Sequence, residues 1–304
     1  MKNSKELKKE LPGIKENVSL ADYTIFKIGG ETKYFYPAKN KEEFLKAVLL
    51  AKKLNIPFFI LGGGSNLLVA DSGFSGLVIK CQMSKLEFQT EAKTRNSKIY
   101  VESGTPLSLL VFETAKRELS GLEWGAGIPG TVGGAIKGNS GAFGDAIGNV
   151  TSKVEVFNSE KEKTETYSQK ECQFAYRESV FKKRPKLIIL SAELELKNRD
   201  KKQIKQTMEE YLDYRRKTQP LELPSAGSVF KNPPDVSAGQ LIDHCGLKGK
   251  KINHAQISEK HANFIINLGK AKAADVIQLI ELAKKEVKAK FNIQLEEEIQ
   301  YLGF

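Results

Sequence analysis

Two glycine-rich segments stand out among the residues that could support chemistry. The first, residues 61–68 (LGGGSNLL), directly follows the apolar run at residues 56–60. Three successive glycines carry no side chain and permit positive φ, so a ligand can approach their backbone N–H groups closely. Consecutive N–H groups that point the same way bind an anion, and Ser65 and Asn66 add short donors. The segment is therefore a candidate phosphate or pyrophosphate loop, and an ordinary turn is the alternative.

The second segment, residues 124–144, reads WGAGIPGTVGGAIKGNSGAFG. Neither segment has the GxxxxGK[ST] pattern of a P-loop, and residues 62–66 do not open a helix in a GxGxxG pattern. Two weakly charged glycine-rich loops in one chain favour the walls of one large, flat ligand that carries phosphate. Tight packing of backbone against backbone is the alternative, and the residues alone do not choose between the two.

Composition bounds the other classes of function. The chain has 304 residues, 40% hydrophobic and 28% charged, which is typical of a globular protein with two domains. The net charge is +11, but only seven of the 48 basic residues are arginine, and the lysines are scattered. Such scattered lysine favours a solvated surface over nucleic-acid binding, while the charge can attract an acidic small substrate.

Metal binding, disulfides and membrane insertion are not expected. The three cysteines and three histidines match no metal-ligand spacing, and an odd number of widely spaced cysteines favours reduced thiols. No apolar run approaches membrane-spanning length, and the N-terminal residues lack the apolar region of a secretory signal. We therefore expect a cytoplasmic protein with no membrane partner.

Hydrophobic periodicity predicts a mixture of helices and strands that would position these segments. A capping-box pattern at residues 168–171 predicts a helix start, and the strand at residues 187–196 is expected to be half-buried. The charged stretch at residues 197–202 is the best candidate for a domain boundary. Helices are predicted at residues 3–11, 41–54 and 105–116, after residue 202 up to 216, and near the C-terminus with Val276, Ile280, Ala283, Val287 and Phe291 on one stripe. Strands are predicted at residues 24–30, 56–60, 67–69, 77–79, 99–101, 153–157, 163–167, 187–196 and 293–302.

Several blocks, taken in order along nearly the whole chain, resemble the UDP-N-acetylenolpyruvoylglucosamine reductase family. Any one block is modest evidence, whereas all of them in the right order are strong evidence. They are Thr24-x-Phe26-x-Ile28-Gly29-Gly30, LGGGSNLLV at 61–69, GIPGTVGGA at 127–135 with Asn139 and Gly141 following, YRESVFK at 176–182, SAGSVFKNP at 225–233, KHAxF at 260–264, and Glu298-Ile299-x-x-Leu302-Gly303.

The resemblance implies an α+β fold with a two-part FAD-binding domain of the noncovalent vanillyl-alcohol-oxidase-like type and a C-terminal α+β substrate domain. With it we predict an N-terminal helical lead at 1–19, an FAD domain at 20–197 with subdomains at about 20–80 and 81–197, and a substrate domain at 198–304. Enzymes of this family use NADPH and FAD to reduce UDP-N-acetylglucosamine enolpyruvate to UDP-N-acetylmuramate, a peptidoglycan precursor.

The resemblance also implies which residues act. The predicted catalytic residues are Arg177, which stabilises negative charge, Ser228, which donates a proton, and Glu298; His261 is expected to be structural. Because substrate phosphates need cations, and not from the resemblance itself, substrate-binding residues are expected at Arg216, Lys217, Lys231 and Asn232, on either side of the Ser228 loop. FAD-binding residues are expected at Ile28, Gly29, Gly62, Gly63, Gly64, Ser65, Asn66, Gly127, Gly130, Thr131, Gly133, Gly134, Asn139 and Gly141.

This chain departs from the family pattern in three places. Phe143 stands where the family often has tyrosine, Asn263 stands where glycine is common, and the segment between Arg177 and Ser228 is short, as in the family's shorter subgroup. Two rival functions stay open from the residues alone. One is a related flavin oxidase that acts on a sugar or alcohol, and the other is a basic protein that binds nucleic acid.

Overall fold

The computed structural model describes residues 2–89 and 96–304. Its helices are α1 (Lys2–Glu10), α2 (Lys41–Lys53), α3 (Leu107–Lys116), α4 (Val132–Lys137), α5 (Val180–Lys183), α6 (Lys201–Thr218), α7 (Ala238–His244) and α8 (Ala273–Phe291). Its strands are β1 (Lys15–Ser19), β2 (Glu31–Ala38), β3 (Phe58–Leu61), β4 (Leu67–Val69), β5 (Phe74–Cys81), β6 (Leu86–Gln89), β7 (Asn96–Glu102), β8 (Leu119–Ser120), β9 (Gly141–Ala142), β10 (Asp145–Ala146), β11 (Thr151–Asn158), β12 (Lys163–Ser168), β13 (Leu187–Asn198), β14 (Ser225–Ser228), β15 (Lys251–Ile252), β16 (Ala255–Ile257), β17 (Phe264–Asn267) and β18 (Gln300–Leu302).

The chain forms two compact units, and each is built from three stretches of sequence. The first unit contains residues Met1–Lys15, Phe35–Gly63 and Leu77–Asp213. The second contains residues Glu16–Tyr34, Gly64–Gly76 and Tyr214–Phe304. Helices and strands occur in both, so the predicted α+β class is confirmed. The predicted FAD and substrate domains, with their boundaries at residues 19 and 197, stay a prediction.

An antiparallel sheet dominates the first unit, with the strand order β12-β11-β13-β7-β6. Helix α4 packs on the central strand β13, and a core that includes Trp124, Val132, Ile136 and Leu194 fills the space between them. In the same unit β3 pairs in parallel with residues 77–80 of β5, so that Leu61 lies opposite Lys80. This register places the end of β3, and hence the first glycine segment, beside the end of β5.

The second unit contains the antiparallel sheet β14-β17-β16-β15 and the parallel pair β18-β4. Helix α8 covers its core with four predicted stripe residues fully buried, Val276, Ile280, Ala283 and Val287. The fifth, Phe291, is partly buried against the same core. The 3.6-residue periodicity of α8 was therefore a sound predictor.

Residues 24–30 do not form the predicted strand. The hydroxyl of Thr24 donates to the carbonyl oxygens of Ala21 and Ile28, which closes the segment into a turn. Lys27 and Gly29 have φ of 56° and 138°, values that interrupt an extended chain. Phe26 and Ile28 are buried in the core of the second unit. Their alternation arises because a loop packs them into that core, and not because they lie on a strand.

Residues 293–302 form a strand only at Gln300–Leu302, which pairs with Leu67–Val69. Before it the backbone makes one isolated bridge, between Glu297 and Phe230. The predicted alternation of Ile293, Leu295 and Ile299 therefore lies mostly in an extended segment that is not paired as a continuous strand.

Three further details of the sequence-based prediction need correction. Strand β13 is buried on both faces along residues 187–192, because it lies in the middle of its sheet under α4. Helix α3 begins at Leu107 with Pro106 as its N-cap, so Thr105 does not cap it. Ser168 and Glu171 do contact each other, at 2.6 Å between Oγ and Oε2, but a turn follows instead of a helix.

Candidate functional site

The two glycine segments touch each other within the first unit. A Cβ atom placed on Gly62 would lie 2.6 Å from Oγ1 of Thr131, and one on Gly63 would lie 2.6 Å from Cα of Gly130. Side chains are not tolerated at such distances, so these two glycines are required by the close approach of backbone to backbone. Packing therefore explains Gly62 and Gly63 at least as directly as a ligand does.

The first segment also has the donors that an anion requires. Within residues 2–89 and 96–304, no hydrogen-bond acceptor lies in range of the backbone N–H groups of Gly63, Gly64 or Ser65. Gly63 and Ser65 are half-buried, and Gly64 takes φ of 65°, which favours glycine. Three successive N–H groups that find no acceptor in the described part of the chain match the chemistry of a diphosphate. The residues present therefore fit the diphosphate of FAD.

Several backbone N–H groups of the second segment are already bonded within the protein. At the start of α4 the N–H groups of Val132 and Gly133 donate to the carbonyl oxygens of Thr105 and Ser103, at 2.9 and 2.8 Å. The N–H of Gly134 donates to Oγ1 of Thr131, which is the helix N-cap. Because these donors bond within the protein, Gly133 and Gly134 shape the loop through packing. Gly127 and Gly130 take positive φ, of 77° and 129°.

Asn139 and Gly141 organise the turn that carries Arg177. The Asn139 side chain donates to the carbonyl of Ala175 at 2.8 Å and accepts from the N–H of Gly148 at 3.0 Å. The carbonyl of Gly141 accepts a hydrogen bond from Nη2 of Arg177 at 3.0 Å. Two predicted cofactor residues thus contact the predicted catalytic arginine or its turn.

Arg177 lies at the tip of a tight turn between Ala175 and Glu178, with φ of 55°. Nζ of Lys182 donates to the Arg177 carbonyl at 3.0 Å, which holds this uncommon backbone conformation in place. Burial lowers the pKa of nearby Lys137, and repulsion from Lys182 lowers it further. Lys182 also pairs with the carboxylate of Glu178 at 3.6 Å, so the turn that carries Arg177 holds charges of both signs.

Ser228 and Glu298 lie on neighbouring segments of the second unit. The N–H of Glu298 donates to the carbonyl of Val229 at 2.8 Å, one residue from Ser228. The N–H of Lys231 donates to the carbonyl of Glu296 at 2.8 Å, which continues the same antiparallel pairing. The structure thus brings together two predicted catalytic residues that lie 70 positions apart in sequence.

Asn66 forms two hydrogen bonds to the backbone of the segment that carries Glu298. Its side-chain Nδ2 donates to the carbonyl of Glu298 at 3.1 Å, and its own carbonyl accepts from the N–H of Gln300 at 3.0 Å. The sequence assigned Asn66 to the cofactor alone. In the structure it also positions the backbone of a predicted catalytic residue.

Asn263 fixes the other end of the Ser228 loop. Its side chain accepts from the N–H of Phe230 at 2.9 Å and donates to the carbonyl of Phe230 at 2.8 Å. Its own N–H donates to Nδ1 of His261 at 3.2 Å. Burial lowers the pKa of His261, and the Lys248 ammonium adds to that effect. The bond to Nδ1 favours the structural role predicted for His261, which stays a prediction.

The predicted substrate residues occupy different environments. Arg216 and Lys217 are exposed at the end of α6, whereas the neighbouring Arg215, a third basic residue of the same cluster, is only 7% exposed. Burial lowers the pKa of Arg215. Its helical spacing from the partly buried Tyr211 and Met208 is the sequence signal for this burial. Lys231 forms an ion pair with Glu296 at 2.5 Å and Oδ1 of Asn232 accepts from the N–H of Ala238.

Ile28 and Gly29 lie in the second unit. Ile28 is buried in its core, and a Cβ on Gly29 would lie 2.5 Å from Cβ of Val69. Gly29 is therefore explained by close contact with β4.

Phe143, at the position where tyrosine is common, stacks on Tyr211 of α6 with ring centroids 3.9 Å apart. In this chain that position makes an apolar contact within the first unit.

Comparison with known proteins matches both parts of the chain. Residues 219–302 match the model of the UDP-N-acetylenolpyruvoylglucosamine reductase C-terminal domain, and residues 32–162 match an FAD binding domain. A reductase of that name from Clostridium novyi is 40% identical over 290 residues, covering 95% of this chain and 92% of the relative. The chain belongs to the UDP-N-acetylenolpyruvoylglucosamine reductase family. Another member, from Thermotoga maritima, is 44% identical over 283 residues, covering 92% of this chain and 96% of its own.

A solved structure of the family agrees with this fold. The crystal structure of UDP-N-acetylenolpyruvylglucosamine reductase from Thermus caldophilus matches with a TM-score of 0.79 and 38% identity, covering 94% of this chain and 98% of that one. Among the described residues, no helix combines the length and the apolar character that a membrane crossing requires.

Proposed function

We propose that this reductase-family chain catalyses the NADPH-dependent, FAD-mediated reduction of UDP-N-acetylglucosamine enolpyruvate to UDP-N-acetylmuramate. The backbone pairing of the Ser228 and Glu298 segments carries the proposal, since it brings the proposed proton donor and the proposed catalytic carboxylate onto neighbouring segments of one unit. When bound, FAD supplies hydride transfer from NADPH to the enolpyruvyl carbon distal to the ether. FAD is held noncovalently, and NADPH is the co-substrate.

Ser228 donates the proton that completes the reduction. After hydride arrives, the carbon that bears the ether oxygen and the carboxylate must take up one proton. A neutral hydroxyl is a weak acid, so it has to be held at the reacting carbon and assisted. Ser228 ends β14 and pairs with Phe264, which limits its movement. We assign Glu298, on the adjacent segment, as the carboxylate that assists this transfer.

Arg177 stabilises the negative charge that builds up on the substrate before protonation. A guanidinium is always charged and can grip a carboxylate through two hydrogen bonds. Its contact with the Gly141 carbonyl and the Lys182 bond to its own carbonyl fix its position before substrate arrives. Donors fixed in advance stabilise developing charge without having to reorganise.

The remaining assignments follow from the same proposal. The N–H groups of the first glycine segment, with Ser65 and Asn66, hold the FAD diphosphate, and the second segment forms a further wall. Arg216, Lys217, Lys231 and Asn232 bind the UDP-sugar, residues 20–197 form the FAD domain and residues 198–304 the substrate domain. The reaction supplies a peptidoglycan precursor, so we place it in the cytoplasm, in cell-wall synthesis that supports cell shape and division.

The two half-reactions test the role of Ser228. Anaerobic stopped-flow absorbance would follow flavin reduction by NADPH and then reoxidation by UDP-N-acetylglucosamine enolpyruvate. Ser228→Ala is expected to leave the reduction rate unchanged and to slow reoxidation by roughly 100-fold or more, as for loss of a proton donor. Ser225→Ala, in the same strand, is the matched control. Equal slowing of both half-reactions would remove Ser228 from this role.

The cofactor state tests the proposal as a whole. Protein purified with FAD should release all its flavin on denaturation. Flavin that stays attached would favour a covalent flavin oxidase, and no flavin binding even after addition of FAD would contradict the proposed function. Retention on DNA at moderate salt without flavin would favour the nucleic-acid alternative.

A further inference from the structure

Lys80 is a half-buried lysine at the end of β5, opposite Leu61 in the parallel pair with β3. Its ammonium donates a hydrogen bond to the carbonyl oxygen of Gly62. No carboxylate pairs with it among residues 2–89 and 96–304. A cation placed in this way, at the first glycine segment and without a counter-charge, needs an explanation.

Burial makes this placement costly. It lowers the pKa of Lys80, because removing an ammonium from water penalises its charged form. The adjacent thiol of Cys81 does not supply a counter-charge. Burial raises the pKa of Cys81, and its Sγ lies 3.3 Å from Oγ of Ser103, so it remains a neutral thiol. Within the described part of the chain, the Lys80 ammonium therefore makes one hydrogen bond, to the carbonyl oxygen of Gly62.

The hydrogen bond from Lys80 to the Gly62 carbonyl sets the orientation of the Gly62–Gly63 peptide. The carbonyl of Gly62 and the N–H of Gly63 belong to one peptide group, and the described chain contains no cis peptide. In a trans peptide these two groups point in opposite directions. With the carbonyl fixed on Lys80, the N–H of Gly63 points away from Lys80, and it is one of the donors that lack an acceptor among the described residues.

Without this bond the peptide would be free to turn over. Glycine occupies positive and negative φ with similar ease, so the backbone torsions of Gly62 and Gly63 do not by themselves hold the peptide between them in one orientation. The inverted peptide would present a carbonyl oxygen where an anion should bind, and the two would repel each other. Lys80 also polarises the peptide, because a hydrogen bond at its carbonyl strengthens the donor at its N–H.

We propose that Lys80 is a positioning residue that locks the Gly62–Gly63 peptide so that its N–H faces the diphosphate of FAD. The proposal rests on the proposed binding of FAD to this segment. It assigns Lys80 an effect that requires the diphosphate and that acts through the peptide, with no contact between the ammonium and the isoalloxazine ring.

The test compares two flavins, FAD, which carries the diphosphate and adenosine, and riboflavin, which lacks both. Apoprotein would be titrated with FAD and with riboflavin, which has no phosphate, and binding followed by flavin fluorescence. Lys80→Met is expected to weaken FAD binding roughly 10- to 100-fold, the range for losing a hydrogen bond to a charged group. Riboflavin binding should not change. Lys80→Arg, which keeps both charge and donor, should stay within about three-fold of wild type for FAD.

Control variants and outcomes separate this proposal from the proposed function. Lys39→Met, at an exposed lysine of the same unit, should bind both flavins as wild type does. The proposal is overturned if Lys80→Met binds FAD normally, or if it weakens FAD and riboflavin equally. Failure of the wild-type protein to bind FAD at all would instead contradict the proposed function.

Discussion

Replacing Asn263 with alanine should destabilise the second unit where it supports Ser228. The Asn263 side chain is 3% exposed and satisfies both the N–H and the carbonyl of Phe230, which is 2% exposed. Leaving a buried polar group without a partner costs about 1–3 kcal/mol. Two such groups are stranded, and water can enter the space left by the side chain. We therefore expect a loss of about 2–4 kcal/mol in the free energy of unfolding.

Urea unfolding of the FAD-saturated protein, followed by far-ultraviolet circular dichroism, would measure this loss. Asn198→Ala is the matched control, because Asn198 is exposed and its side chain makes no hydrogen bond within the described ranges. Hydrogen exchange of a peptide spanning residues 228–231 adds a local measurement, in which the Phe230 amide should lose protection in Asn263→Ala. A loss below about 1 kcal/mol together with unchanged exchange would refute the reasoning.

Two further substitutions test contacts of the second unit. Asn66→Ala removes the hydrogen bond to the Glu298 carbonyl, so stopped-flow kinetics should show substrate-driven flavin reoxidation slowed more than reduction by NADPH. The opposite order would show that Asn66 acts on the cofactor alone. Asp71→Ala removes the carboxylate that accepts from the N–H groups of Ala273 and Ala274 at the start of α8, at 2.8 and 3.1 Å. We expect a loss of about 1–2 kcal/mol in urea unfolding, and a change below about 0.5 kcal/mol would show that α8 begins equally well without this cap.

Helices that bury one face were predictable, because burial of that face alone sets the spacing of their apolar residues. Helix α2 buries Phe44, Val48 and Ala51, and α8 buries its stripe in the same manner. The segments at 24–30 and 293–302 were misjudged because core-filling loops bury alternate residues without forming a ladder. Strand β2 was missed because its start follows this loop, and Pro37 argues against a strand.

The candidate site was predictable as a set of residues but not as a set of contacts. Among three successive glutamates the family spacing selected Glu298, and the structure pairs the other two with lysines: Glu296 with Lys231, and Glu297 with Lys284 at 2.9 Å. The contact of Gly63 with Gly130 joins residues far apart in sequence, and no local pattern encodes it. No local pattern encodes the hydrogen bonds of the Asn66, Asn139 and Asn263 side chains either, because folding brings their partners close.

The discontinuous second unit has a consequence for biosynthesis. Its core includes Phe26, Ile28 and Leu68 from the first quarter of the chain, yet most of that core comes from residues after 214. On the ribosome these early apolar side chains must wait for about 150 further residues, on the order of 10 s at ordinary elongation rates. During that interval β4 lacks β18, its strand partner. Cellular chaperones therefore have a defined nascent segment to protect, and a gene fragment that begins at residue 198 would encode a core without three of its buried residues.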